Sequence, residues 1–239
     1  MPFLRPLITA HRGLSGLAPE NTVLAFSEAL EFNCDFIETD VWQTKDGQIV
    51  CIHDADLRRT TDRQGDVRGL TLAEVREADA GQGERVPTLD EALEVVGGRC
   101  VLTVEMKMSG IEEQVVHTIR AHAAMRLNCT LGSFDAESVR RARAAAPELA
   151  GEWITAPGGP VGREAAVELA VRALEVNAST LSVLHSAVTE ELVREAHLRG
   201  LDVAAWTVND AGRMLELAEM GVDRIITDRC DLAVGALRG

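Results

Sequence analysis

The stretch TEELVREAHLRGLDVAAWTVNDAGRMLELAEMGVDRIITD, residues 189–228, decides the fold because it repeats one pattern twice. One helical segment opens at Thr189 and stops at Gly200, and a second opens at Asn209 and stops at Gly221, so each has a capping residue and a terminal glycine. Each segment is followed by an apolar run, LDVAAW or DRIIT, that lacks polar alternation, as in strands covered on both faces. The repeat predicts helices that alternate with parallel strands.

The same alternation extends along almost the whole chain. A first helix is predicted at 23–32, after Asn21 and Thr22. Eight β-rich runs predict strands at 7–10, 35–41, 100–107, 129–134, 149–155, 178–184, 202–208 and 224–227. With about 30 residues per unit, each has room for one βα repeat. We predict an α/β fold, a TIM (β/α)₈ barrel, with an open doubly wound sheet as the alternative because the pattern does not establish closure.

The segment 45–87 interrupts this rhythm. It opens with a hairpin signal, DG, continues with a short strand at 48–52, and then becomes polar and glycine-rich with only one helix-like piece, at 72–78. It is too long for an ordinary βα loop. Because no change of composition marks a second domain, we expect one domain over 1–239 with a small insertion after the second strand.

The composition is that of a globular protein, with 46% apolar and 26% charged residues, which excludes a disordered or collagen-like chain. The 38 acidic and 24 basic residues give a formal net charge of −14. This charge argues against nucleic acid and anionic membranes as partners and, at face value, against phosphate-bearing ligands.

The cysteines and the N-terminus indicate the compartment. Five cysteines without a C-x-x-C pair predict reduced, packed thiols rather than a disulfide framework or a zinc site. The N-terminal stretch MPFLRPLITAHRG has too short an apolar run for a signal peptide, and no 18-residue apolar stretch occurs. We expect a cytoplasmic protein without stable membrane insertion, and the sequence does not indicate an oligomeric state.

Carboxylates interrupt the predicted strands near their carboxyl ends, where barrel enzymes place active sites. Glu38 and Asp40 lie two residues apart and therefore share one face of the second strand. They would repel each other unless a cation lies between them, and oxygen ligands suit Mg²⁺ or Ca²⁺. A solvent-facing strand or an arginine partner explains this pair equally well. In the next barrel strand, Glu105 can complete a three-carboxylate site, and Lys107 on the same face can meet a substrate anion.

Two histidines stand at strand ends: His11, followed by Arg12, after the first strand, and His53 after the short hairpin strand. Both lie in motifs of one family. HRG-x₅-PENT-x₂-AF at 11–26, E-x-D-V-x₂-T-K-D-G at 38–47, HD at 53–54, VEMK at 104–107, WTVN at 206–209 and GVDRIITD at 221–228 together closely resemble a glycerophosphodiester phosphodiesterase. The resemblance covers essentially the whole chain. It implies a TIM barrel with an insertion after the second strand, and hydrolysis of small glycerophosphodiesters to sn-glycerol 3-phosphate and an alcohol, in glycerophospholipid breakdown.

The resemblance also implies roles for individual residues. His11 and His53 match the acid/base pair, and Glu38, Asp40 and Glu105 match the ligands of one divalent cation, Mg²⁺ or Ca²⁺. Arg12 and Lys107 would hold the phosphate, and Trp206 would face the glycerol moiety, unless it is a packing indole. Other strand-end or loop residues could line or brace the pocket: Glu20, Asn21, Ser133, Phe134 and His185.

Several alternatives stay open. The first attack is either by a substrate hydroxyl, giving a cyclic phosphate as in phosphatidylinositol-specific phospholipase C, or by water, and His11 is favoured as base with His53 as acid. The rival functions are a lysophospholipase D-type phosphodiesterase on lipid-bearing substrates and a catalytically silent barrel that binds a ligand. If three surplus carboxylates hold a metal, the net charge of −14 no longer argues against a small phosphodiester.

Overall fold

The computed structural model describes residues 5–239; the first four residues, part of the stretch predicted not to be a signal peptide, lie outside the described range. The strands found there are β1 (Leu7–His11), β2 (Phe36–Gln43), β3 (Ile49–Cys51), β4 (Val101–Met106), β5 (Cys129–Ser133), β6 (Ala150–Thr155), β7 (Thr180–Leu184), β8 (Asp202–Trp206) and β9 (Arg224–Thr227). The helices are α1 (Val23–Glu31), α2 (Leu72–Val75), α3 (Leu89–Val96), α4 (Glu112–Ala121), α5 (Ala136–Ala145), α6 (Arg163–Glu175), α7 (Glu190–His197), α8 (Ala211–Glu219) and α9 (Cys230–Arg238).

Eight of these strands close into a barrel. They follow the order β1, β2, β4, β5, β6, β7, β8 and β9, and every neighbouring pair is parallel. The last strand pairs back onto the first, from Leu7 with Arg224 to Ala10 with Thr227. Closure distinguishes a TIM barrel from a doubly wound open sheet. The predicted barrel is confirmed, and the open-sheet alternative is excluded.

Alternate residues of the strands face the helices or the barrel interior, and this alternation positions the site. In β4, Leu102 and Val104 are fully buried in the apolar core between strands and helices. Thr103 and Glu105, on the opposite face, line a cavity inside the barrel. The apolar runs of the sequence are therefore explained by helices outside the barrel, while their polar residues face inward.

The helices begin at the residues that the capping signals indicate. Thr22 Oγ1 accepts a hydrogen bond from the Ala25 amide at 3.2 Å and so caps α1, which ends one residue before its predicted end. Thr189 caps α7, and Asp210 caps α8. These caps fix where each helix leaves the barrel rim, and hence the loops around the site.

The insertion packs as a small layer on the barrel. Strand β3 pairs antiparallel with β2 after a tight turn in which Gly47 has a φ of +83°. A second apolar cluster lies beneath the insertion: Val50, Ile52, Leu57, Val67, Val75, Ala78, Ala80 and Val86. The prediction of only one helical piece is wrong, because Asp56 and Asp66 cap two additional 3₁₀ turns, and α2 is shorter than predicted.

Two further sequence expectations can be compared with the described residues. All five cysteines are free thiols, and four of them are buried. No helix within 5–239 is both long and apolar enough to cross a membrane.

Candidate active site

Four strands, β1, β2, β4 and β8, and the hairpin bring the predicted site residues together. The strand register pairs His11 with Glu38 and Asp40 with Glu105. The predicted residues that line one cavity at the carboxyl end of the barrel are His11, Arg12, Glu38, His53, Glu105, Lys107 and Trp206. Asp40 is fully buried beside them. Residues that are far apart in the chain thus form one site.

Glu38, Asp40 and Glu105 form a buried carboxylate cluster. One oxygen of each lies within 4.8 Å of the other two. Glu38 Oε1 and Asp40 Oδ1 are buried and accept no hydrogen bond from any residue in 5–239. Converging carboxylate oxygens, among them Glu38 Oε1 without any partner in 5–239, are the donor set that Mg²⁺ or Ca²⁺ prefers. The residues present therefore fit the divalent cation predicted from the sequence.

Two cationic side chains neutralise part of this cluster. Lys107 Nζ lies 2.5 Å from Glu105 Oε1 and 2.9 Å from Asp40 Oδ1. Arg12 Nε lies 3.1 Å from Asp40 Oδ2. The contacts of both cations with Asp40 are ion pairs without hydrogen-bond geometry. The sequence offered an arginine or a metal as partner of the paired acids, and the structure contains the arginine and a lysine while leaving Glu38 Oε1 without a partner in 5–239.

The pKa values divide the three carboxylates. Burial, reinforced by the negative charge of Asp40, raises the pKa of Glu38 well above its usual value and that of Glu105 to about 7. Burial acts in the same direction on Asp40, but Lys107 and Arg12 outweigh it and hold the pKa of Asp40 at about 2. One carboxylate is firmly ionised, and the other two bind protons more readily. A cation at this cluster would compete with those protons.

Each predicted catalytic histidine is hydrogen-bonded to a carboxylate through Nδ1. His11 Nδ1 lies 2.6 Å from Asp228 Oδ1, and His53 Nδ1 lies 2.6 Å from Asp54 Oδ1. Because Nδ1 is engaged, Nε2 is the ring nitrogen that remains for proton transfer. Burial lowers the pKa of His53. The neutral imidazole is thereby favoured, and which histidine is base and which is acid stays a prediction.

Both orienting carboxylates are themselves held in place. Asp228 accepts hydrogen bonds from Ser15 Oγ at 3.0 Å and from Asn209 Nδ2 at 2.6 Å. Burial raises the pKa of Asp228, but its hydrogen bonds outweigh this and hold it at about 2. Asp54 accepts a hydrogen bond from Arg59 Nε at 2.5 Å. Each histidine therefore faces a carboxylate whose position is fixed by a further partner.

Sequence reasoning missed four of these supporting residues: Asp228, Asn209, Arg59 and Ser15. The first two occur in the motifs GVDRIITD and WTVN, but no spacing rule connects Asp228 with His11, which is 217 residues away. Arg59 lies in a polar stretch without periodicity. Only the family motifs could have indicated the first two.

The loop after β1 braces the site, as the interpretation of Glu20 and Asn21 expected. Asn21 Nδ2 donates to Asp40 Oδ2 at 2.9 Å. Glu20 Oε1 accepts from Arg12 Nη1 at 2.9 Å, and Glu20 also binds Arg59. Their structural role is therefore to hold the ionised carboxylate and the cation beside it, whereas the helix cap is the following threonine.

Two aromatic rings form the outer wall of the cavity. The rings of Phe134 and Trp206 meet edge to face with their centroids 5.4 Å apart, and both line the cavity. Trp206 Nε1 is buried and has no hydrogen-bond partner in 5–239. Two other strand-end residues do not line this cavity: Ser133 donates to the Met106 carbonyl, and His185 lies apart in a 3₁₀ turn.

The fold and the site together define a class of protein. Cationic side chains and carboxylate-paired histidines at the carboxyl end of a TIM barrel are typical of an enzyme that performs acid–base chemistry on an anionic group. The particular family follows from comparison with known proteins.

The sequence profile of the glycerophosphoryl diester phosphodiesterase family matches residues 11–232, and the chain belongs to this family. YhdW of Bacillus subtilis is 37% identical, over 95% of this chain and 96% of that protein. The glycerophosphodiester phosphodiesterase of Caldanaerobacter subterraneus subsp. tengcongensis is 34% identical, over 98% and 99%. A phosphodiesterase of Oleispira antarctica, solved with the product sn-glycerol-3-phosphate, has a TM-score of 0.88 and 29% identity over 98% of both chains. The protein is thus an enzyme, a phosphoric diester hydrolase.

Proposed function

We propose that the protein hydrolyses glycerophosphodiesters to sn-glycerol 3-phosphate and an alcohol by metal-dependent catalysis with two histidines, in glycerophospholipid breakdown. The observation that carries this proposal is the pairing of His11 and His53 with carboxylates in the same cavity as the carboxylate cluster. The product bound to the Oleispira antarctica relative supports the choice of product. The partner would be a small molecule, since the net charge of −14 disfavours nucleic acid and anionic membranes. The cytoplasmic location stays a prediction from sequence.

Glu38, Asp40 and Glu105 would hold one divalent cation, Mg²⁺ or Ca²⁺. When bound, such a cation supplies positive charge that stabilises negative charge on a phosphoryl oxygen. Arg12 and Lys107 line the same cavity and would bind the phosphate from the protein side. Their charges stabilise the transition state without reorganisation because ion pairs already fix both side chains.

The two histidines would move the protons. One removes a proton from the attacking hydroxyl, and the other protonates the leaving alkoxide, each through Nε2. Each role is typically worth about 10²–10⁴-fold in rate. The attacking group is either a hydroxyl of the substrate or water. Rapid-quench trapping of a cyclic glycerol phosphate during turnover distinguishes the two, because only the substrate hydroxyl produces it.

The assay uses purified protein with glycerophosphocholine, glycerophosphoethanolamine and lysophosphatidylcholine, with and without EDTA. We expect glycerol 3-phosphate from the two water-soluble diesters, with release abolished by EDTA. His11→Ala and His53→Ala should each lose most turnover and keep the circular dichroism of the wild type. His117→Ala, which changes an exposed histidine on α4, is the matched control and should remain fully active. Release that is insensitive to EDTA, or wild-type turnover in either site variant, contradicts the proposal.

A lysophospholipase D-type activity is the second candidate. It requires space for an acyl chain next to the glycerol. Trp206, Phe134 and Ile154 give the cavity some apolar surface. The cavity is also lined by the polar and charged residues Thr103, Glu152 and Ser182. Burying an acyl chain against such groups is unfavourable, so they argue against this alternative.

A further inference from the structure

Arg59, in the insertion, bridges two carboxylates that belong to different parts of the site. Its Nε donates to Asp54 Oδ2 at 2.5 Å. Its Nη1 and Nη2 donate to the two oxygens of Glu20 at 2.8 and 2.7 Å. The donors of a guanidinium form a fixed planar fork, so this one side chain holds both carboxylates at a set separation.

Each of these carboxylates holds a residue that the proposed mechanism uses. Asp54 Oδ1 lies 2.6 Å from His53 Nδ1, which leaves Nε2 for proton transfer. Glu20 Oε1 accepts from Arg12 Nη1 at 2.9 Å, and Arg12 Nε lies 3.1 Å from Asp40 Oδ2. A series of contacts, none longer than 3.1 Å, therefore runs from the catalytic histidine through the bridging guanidinium to the carboxylate cluster.

The insertion fixes the backbone from which Arg59 projects. Arg59 is the last residue of the 3₁₀ turn Leu57–Arg59, which Asp56 caps by accepting a hydrogen bond from the Arg58 amide at 2.9 Å. Leu57 is 1% exposed and anchors the turn in the apolar cluster beneath the insertion. Its amide also donates to the Gly65 carbonyl at 3.1 Å. The guanidinium is thus carried by a well-anchored turn.

Arg59 also keeps both of its carboxylates ionised. Burial raises the pKa of Glu20 and that of Asp54, but hydrogen bonds and positive charges outweigh burial and lower both values. The hydrogen bond from Arg59 is the largest of these opposing effects at each carboxylate. Without this cation, two negative groups would face the same space and repel each other.

The bridge differs from another arginine–glutamate pair, which lies beneath the cavity. There Arg224 donates to Glu152 Oε2 and, at 3.3 Å, to Thr103 Oγ1, and the two charged residues are 5% and 1% exposed. Loss of either charge would leave its partner buried and unpaired, which is strongly destabilising. The Arg59 side chain is 45% exposed, and exposed ion pairs contribute little to stability. Its contacts therefore serve the geometry of the site more than the stability of the fold.

We propose that Arg59 is a positioning residue that fixes His53 and Arg12 relative to each other, which makes the insertion part of the active site; this rests on the proposed function. Through Asp54 it orients the imidazole that transfers a proton. Through Glu20 it holds the guanidinium that binds the phosphate. Arg59 itself does not line the cavity, so it acts only through these two carboxylates.

Three single variants separate the two branches of the bridge in steady-state hydrolysis of glycerophosphocholine. Asp54→Asn should lower kcat by roughly 10-fold and leave KM within about 2-fold of the wild type, because it acts on His53. Glu20→Gln should raise KM by about 3- to 10-fold, because it acts on Arg12. Arg59→Met should produce both effects. A residue that only supported the fold would reduce the amount of active enzyme, which lowers the apparent kcat and leaves KM unchanged.

Double variants test whether Arg59 acts through these carboxylates. Adding Arg59→Met to Glu20→Gln should change KM by less than about 2-fold, because the branch to Arg12 is already broken. Adding it to Asp54→Asn should lower kcat much less than it does in the wild type. Full additivity of either pair, or a loss in Arg59→Met that is confined to one kinetic parameter, overturns the proposal.

The matched control is Arg58→Met, the same substitution at the neighbouring residue of the same turn. The Arg58 side chain lies 3.9 Å from Asp56, its only ion pair in 5–239, so kcat and KM should be those of the wild type. The melting temperature of Arg59→Met should lie within about 4 °C of the wild type. If it falls further, Arg59→Lys keeps a cation between the carboxylates and should show both kinetic losses to a smaller extent. Wild-type kcat and KM in that variant overturn the proposal.

Calorimetry distinguishes failure of this proposal from failure of the proposed function, because it needs no turnover. With Ca²⁺ present, Arg59→Met should bind sn-glycerol 3-phosphate about 3- to 10-fold more weakly than the wild type, whereas Asp54→Asn should bind it within about 2-fold. Equal affinities in the wild type and Arg59→Met overturn the proposal. If the wild type hydrolyses no glycerophosphodiester but the affinities differ in this way, the proposed function fails while the link from Arg59 to Arg12 stands.

Discussion

Replacing Asp228 by asparagine tests how the site orients its first histidine. The Asp228 carboxylate accepts from His11, Ser15 and Asn209 at 2.6, 3.0 and 2.6 Å. An amide has only one oxygen, so in Asp228→Asn an NH₂ group must face either the histidine or one of the other donors. The variant keeps the shape of the side chain and removes the charge that stabilises a protonated imidazole.

The magnitude follows from the contact. A hydrogen bond to a charged group is worth about 1.5–3 kcal/mol, which corresponds to about 10- to 150-fold in rate. The Asp228 side chain is 31% exposed, so solvent screening places the effect at the lower end, about 10- to 30-fold. The loss should fall on kcat, because Asp228 does not line the cavity and KM should change less than about 2-fold.

The assay is steady-state hydrolysis of glycerophosphocholine, with kcat and KM determined separately. Asp231→Asn is the matched control, since Asp231 is nearby in the chain and pairs with Arg229, away from both histidines. Its kinetics should be those of the wild type. If Asp228→Asn retains turnover within about 2-fold of the wild type, or if KM alone changes, the carboxylate does not act through His11 and our interpretation of this pair is wrong.

Three further predictions concern the carboxylates and the buried ion pair. Glu38→Gln should abolish both turnover and the rise in melting temperature that Ca²⁺ or Mg²⁺ gives the wild type; persistence of that rise in thermal-shift measurements would exclude Glu38 as a ligand. Metal affinity should rise with pH through about 7, because the pKa of Glu105 is about 7 and the cation binds the ionised carboxylate. Asp40, whose pKa is about 2, adds no pH dependence in this range. Calorimetric affinities that are constant between pH 6 and pH 8 would contradict this. Arg224→Met should lower the free energy of unfolding in urea by about 3–5 kcal/mol, since it leaves Glu152 buried without its partner, and a loss below about 1 kcal/mol would show that the pair contributes little.

The barrel was predictable because its strands are covered on both faces. Continuous apolar runs such as LDVAAW, bounded by capping residues and glycines, leave little choice between structures. The closing contact of Leu7 with Arg224 was not predictable, since it joins the two ends of the chain and no local pattern describes it. The 3₁₀ turns of the insertion were missed for a different reason. They depend on single aspartate caps at Asp56 and Asp66, within a stretch that has no periodicity.

The same division applies to the site. Glu38 and Asp40 could be recognised from the sequence because they interrupt one strand at a spacing of two. Asp228 and Asn209 are ordinary polar residues in the sequence, and only the closed barrel places Asp228 beside His11 and Asn209 beside Asp228. Arg224 marks the first position of a predicted strand, and nothing in the sequence shows that its partner is 72 residues away inside the barrel. Site residues that are close together in the sequence could therefore be predicted, whereas residues that meet only through the tertiary structure could not.

The ion pair beneath the cavity has an evolutionary consequence. Losing either Glu152 or Arg224 alone would strand a buried charge, at a cost of about 3–5 kcal/mol, which is a large share of the roughly 5–15 kcal/mol that keeps a domain folded. The two positions are thus epistatic, since each substitution is tolerated only in the background of the other. A lineage that replaces this pair must pass through a destabilised single variant or first accumulate stabilising mutations elsewhere.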